Sequence, residues 1–151
     1  MGRRFVVSIL VAASALLAAT VSPAGADDAI LEVSLTGPQE RPGPGDPDAA
    51  GLADIFIDDD TNFLCLSLNW LNVDGTPSGL HIHIAPPTAP GPIVVPFSTP
   101  APGATSHFEC VLVSNEALLD NIAANPQQYY LNLHSTPLFP GGAIRGQLQR
   151  A

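Results

Sequence analysis

The residues best suited to chemistry are four side chains near the middle and end of the chain. In Gly79-Leu80-His81-Ile82-His83-Ile84, alternation puts Leu80, Ile82 and Ile84 on one face of a strand and both imidazoles on the other. Side chains two apart on one face root about 7 Å from each other, close enough to converge on one metal ion. The segment Tyr129-Tyr130-Leu131-Asn132-Leu133-His134 repeats the pattern, with Tyr129, Leu131 and Leu133 inward and Tyr130, Asn132 and His134 opposite. His134 is therefore a candidate third ligand. Imidazoles without thiolates suit Cu(II) or Zn(II), and copper wins where both compete. Bland readings stand beside this one, with histidines on the surface or bonded to the loop Pro86 to Pro92. Arg145, in Ala143-Ile144-Arg145-Gly146-Gln147-Leu148, could guide an anion, orient a carboxylate, or form a surface salt bridge.

Other patterns fail. Asp58, Asp60 and Asn62 imitate the start of an EF-hand loop, but Phe63 replaces its glycine and Asn69 its last glutamate, so a hairpin turn is expected. Gly75-Thr76-Pro77-Ser78-Gly79 is no nucleophile elbow, and there is no phosphate-binding glycine loop. No complete catalytic set can be assembled. Cys65 and Cys110 are the two cysteines. An oxidising compartment would join them as a disulfide, the alternative being two small buried apolar groups.

That compartment follows from the N-terminus. Arg3 and Arg4 precede an apolar run from Phe5 to about Val21, and Ala24-Gly25-Ala26 forms an A-x-A cleavage site. Residues 1–26 are read as a signal peptide for general secretion, leaving 27–151 as one secreted, extracytoplasmic domain. After residue 26 there are three arginines, Arg41, Arg145 and Arg150, and no lysine, against 14 carboxylates, a balance of −11. Nucleic-acid binding and anchoring on anionic lipid are thereby excluded, and no later segment is apolar enough to span a bilayer. Divalent cations or basic partners would be attracted.

The elements that must position these residues are strands. With 16 prolines and 13 glycines, the chain turns too often for a helix bundle. Alternation marks eight strands: around Leu31 to Leu35, Leu52 to Asp58, Leu64 to Trp70, Gly79 to Ala85, Pro92 to Phe97, Thr105 to Val113, Gln128 to His134 and Ala143 to Gln149. A Pro/Gly-rich loop, Gly37 to Asp48, follows the first. One helix, Asn115 to Ala124 capped by Ser114, presents Leu118, Leu119 and Ile122 on one face. The fold class is all-β, an eight-stranded Greek-key β-sandwich or flattened barrel with one short helix.

Leu35-Thr36-Gly37-Pro38-Gln39-Glu40, His81-Ile82-His83, Gly91-Pro92-Ile93-Val94-Val95, Tyr130-Leu131-Asn132-Leu133-His134 and Ile144-Arg145-Gly146-Gln147-Leu148, in that order, resemble a CHRD domain, the module repeated in chordin and found singly in secreted bacterial proteins. The resemblance implies an extracellular binding or interaction module. Two positions depart from it: Ala143 stands where the family usually has Glu, and Ile84 where Gly often follows the histidines. A more distant resemblance to copper/zinc superoxide dismutases would make His81, His83 and His134 copper ligands and Arg145 the guiding arginine, which implies a redox enzyme as the alternative. That pattern also needs a bridging histidine and a zinc cluster, and only His107 remains. A purely structural domain is the third reading. The sequence names no protein partner.

Overall fold

The computed structural model describes residues 28–151, so the signal segment lies outside the described residues. Alternating apolar side chains generate nine strands: β1 Ala29–Thr36, β2 Ala50–Asp58, β3 Phe63–Leu71, β4 Thr76–Ile84, β5 Ile93–Pro96, β6 Ser106–Leu112, β7 Tyr129–Thr136, β8 Phe139–Gln147 and β9 Gln149–Arg150. They form one antiparallel sheet in the order β5-β4-β7-β8-β1-β2-β3-β6, with β9 beside β1. Of the two expected forms, this is the flattened barrel: the sheet curls around its own apolar face. Inside lie Leu31, Leu35, Ile55, Leu64, Leu66, Leu80, Ile82, Leu131, Leu133 and Ile144, all fully buried. Each buried leucine or isoleucine contributes about 1.5–3 kcal/mol.

Four details correct the sequence reading. There are nine strands because Leu148 interrupts the last one, leaving β9 as a separate two-residue piece. β8 begins at Phe139, which pairs with Ser135, while Pro140, Gly141 and Gly142 span the register shift between Ser135 and Leu133. β4 begins at Thr76 and contains Pro77, which is tolerated at a register shift beyond the reach of β5. The helix α1, Glu116–Ala124, is capped by Asn115 rather than Ser114: the Asn115 side chain accepts from the Leu118 N–H, 3.2 Å away. Its Leu119, Ile122 and Ala123 join the core.

Two expectations hold directly. Cys65 and Cys110 are cross-strand partners on β3 and β6, joined as a disulfide. Asp58 to Phe63 is the β2–β3 hairpin turn, in which Asp58 Oδ1 accepts from the Thr61 N–H and Asn62 takes a positive φ. No helix among the described residues is long and apolar enough to cross a membrane.

Candidate metal centre

The outer face of β4, β7 and β8 is not a solvent face. Its neighbours across the sheet are His83, Tyr130 and Gln147 in one row, and His81, Asn132 and Arg145 in the next. Two loops roof them. From one side comes Pro86 to Pro92, where a β-carbon at Gly91 would strike the Ile84 carbonyl, so only glycine lets the loop lie this close. From the other comes Gly37 to Asp48, pinned by the Asp46 N–H donating to Ala143 O and by the Asp46 carboxylate accepting from the Asp74 N–H.

Under this roof the three candidate histidines meet. One ring nitrogen from each of His81, His83 and His134 lies within 4.8 Å of the other two. His83 Nδ1–H donates to the Gly91 carbonyl at 2.8 Å, and His134 Nδ1–H donates to the Pro140 carbonyl at 3.0 Å. Both rings are thus held in the tautomer whose Nε2 carries a free lone pair, the arrangement typical of metal-ligating histidine. The buried nitrogens left without a partner are His83 Nε2, His134 Nε2 and His81 Nδ1. Desolvation, then the imidazoles of His134 and His83, push His81 down to about 4, and burial lowers His83 and His134 as well. The neutral rings that a cation requires are therefore the favoured forms.

The dimensions and chemistry fit a transition metal. Tetrahedral bonds of about 2.0–2.1 Å separate ligand nitrogens by roughly 3.4 Å, and the three nitrogens here lie within 4.8 Å of one another. Gly79 leaves the needed room, since a β-carbon there would lie 2.9 Å from His81 Cε1 and 3.4 Å from His134 Cδ2. The fourth histidine, His107, lies on β6, bonded to Glu109 at 3.1 Å. Among the described residues no second metal-ligating cluster accompanies the first, so the zinc half of the dismutase pattern has no counterpart there.

Arg145 is buried at 1% exposure. Its guanidinium lies 3.5 Å from the centre of the Tyr130 ring and donates to the carbonyls of Pro86 and Ala89 and to Gln147 Oε1. Tyr130 in turn stacks on His83, with ring centres 4.7 Å apart, and accepts from the Gly91 N–H. Among the described residues the arginine forms no salt bridge, and two of its donor bonds go to carbonyls of the loop. Through that loop it fixes the carbonyl that orients His83.

One buried residue had no distinguishing mark in the sequence. Glu40 is 3% exposed, with Oε1 unpartnered, and it lies against Gly142, whose φ is +135°. The Asn132 amide and the Arg145 charge both stabilise its ionised form, yet burial outweighs them and lifts the carboxyl to about 7. Ala143 leaves no acidic group at that point of the chain; the acidic group that bears electrostatically on Arg145 is Glu40, distant in sequence. It stands on a proline-flanked loop among 14 acidic residues, and only the motif Leu35 to Glu40 hinted at it.

A family model described as CHRD domain matches residues 31–148. No curated protein and no solved structure is detectably similar.

Proposed function

The chain belongs to the CHRD-domain family, and from that premise we propose that it is an exported extracellular binding module in which His81, His83 and His134 hold one Cu(II) or Zn(II) ion. The observation that carries the metal is the set of three converging ring nitrogens, two of them set in the required tautomer by backbone carbonyls. Export is supported by the A-x-A segment of residues 1–26 and by the Cys65–Cys110 disulfide, which persists in oxidising compartments. The ion would lock β4 to β7 and to both roofing loops, stabilising the fold in proportion to its affinity. When bound, copper would also supply one-electron redox chemistry.

Metal titration of the purified, disulfide-bonded protein tests this reading. Wild type takes up one equivalent of Cu(II) or Zn(II), and His134→Ala binds at least tenfold more weakly. Uptake well below one equivalent, or equal affinity in the variant, overturns it and leaves the histidines as loop anchors.

A further inference from the structure

The two outer faces of the curled sheet are treated differently. The half that carries the histidines is roofed; among the described residues, no loop covers the half formed by β1, β2, β3 and β6. Register aligns Ile30, Phe56, Cys65 and Cys110 in one row across those four strands. The next row brings Phe63 beside Leu112, and Phe108 stands two positions along β6 on the other side. Phe108 is 72% and Leu112 62% exposed, and Ile30, Phe56 and Phe63 are exposed with them. The disulfide lies at the centre. Three phenylalanines, an isoleucine and a leucine grouped around the disulfide on one outer face are more than the scattered apolar residues of an ordinary exterior.

Charge selects the occupant. The same face carries Glu32, Asp54 and Asp58, in the rows of Phe108 and of Phe63 and Leu112. The arginines of the described residues are turned elsewhere: Arg41 to the Pro38 and Glu40 carbonyls, Arg145 into the loop, Arg150 to the Ala123 carbonyl. A second copy would set these carboxylates against their own images, with strong net negative charge on both chains. A membrane of anionic lipid is repelled for the same reason.

We infer that the β1-β2-β3-β6 face is a docking surface for a basic protein that presents aromatic or aliphatic side chains ringed by lysine or arginine. The apolar centre supplies a desolvated contact and the acidic rim supplies steering and register. The inference rests on the reading of the chain as a binding module and is independent of the metal, which would lie on the other half of the sheet.

The probe is a disulfide-closed hairpin peptide with Trp, Val and Leu on one face and Arg at its flanks. It is titrated into isotope-labelled protein while amide shifts are followed. Binding is expected to move amides of β2, β3 and β6, to weaken at least tenfold in Phe108→Ser, and to weaken severalfold in Asp54→Asn or on raising the salt from about 50 to about 500 mM. Both substituted side chains are exposed, so the fold is retained, and metal uptake in the same samples reports separately on the histidine site. Shifts confined to the roofed half, or equal binding by a hairpin with Glu in place of Arg, overturn the inference. So does a Phe108-dependent dimer in sedimentation, which would make a second copy the occupant, or Phe108-dependent binding to phosphatidylcholine vesicles.

Discussion

Replacing Glu40 by Gln is expected to stabilise the metal-free protein in alkaline solution, the reverse of the usual loss when a buried polar residue is changed. In the fold, the carboxyl ionises only near pH 7, because burial at 3% exposure outweighs the help of Arg145 and Asn132, whereas in the unfolded chain it ionises near 4.5. That gap corresponds to roughly 3 kcal/mol of preference for the neutral acid, an upper figure for a site that can relax. The sign follows from proton counts. Between pH 4.5 and 7 the folded protein holds the proton and the unfolded chain does not. The contribution of Glu40 is therefore fully present below 4.5 and lost as pH rises through 7. Gln keeps the shape and cannot ionise. An unpaired amide N–H adds a constant offset of about 1–2 kcal/mol that does not vary with pH. Urea unfolding with chelator present, at intervals from pH 4.5 to 8.5, gives both curves. Their difference cancels the three histidines, whose lowered values act in the opposite sense, destabilising the fold as pH falls below 6.5. Glu40→Gln should gain on wild type by about 1–3 kcal/mol across that range, levelling off above pH 7. A difference that stays flat, or that runs the other way, refutes the assignment of Glu40 as a buried neutral acid at mildly acidic pH.

Three further outcomes are expected. Gly79→Ala forces a β-carbon against the His81 and His134 rings, so metal affinity should fall at least tenfold in a calorimetric titration while the far-UV spectrum is unchanged. Arg145→Lys keeps the charge but loses the planar fork over Tyr130 and at least one of the two loop carbonyl bonds; it should cost about 1–3 kcal/mol and speed hydrogen exchange at the Gly91 amide. Cys65→Ser with Cys110→Ser opens a link between residues 45 apart and should cost about 2–5 kcal/mol in denaturant, with the circular dichroism of the surviving fold retained.

The local pattern of the chain is sufficient for much of this protein. Alternation assigns an inward or outward side to every residue of a strand, and so places His81 with His83, Tyr130 with His134, and Leu64, Leu66 and Leu68 in the core, because the period of two is a property of the backbone itself. The pairing of Cys65 with Cys110 is likewise foreseeable from their number and compartment. What alternation cannot say is what covers an outward face. The segment 37–48 reads only as a loop, and 86–92 as a turn beside the histidine strand that could wall the site; together they close over β4, β7 and β8, and that contact converts Arg145, Asn132 and Glu40 from expected surface or loop residues into a buried polar layer. The opposite half of the sheet shows the same alternation, and there no loop of the described residues arrives, so Phe56, Phe63 and Phe108 stay exposed. Side is set by neighbours one or two residues away; burial is set by which distant segments fold back, and that depends on long-range close approaches such as Gly91 over Ile84 and Gly45 over Ala143, which no local period encodes.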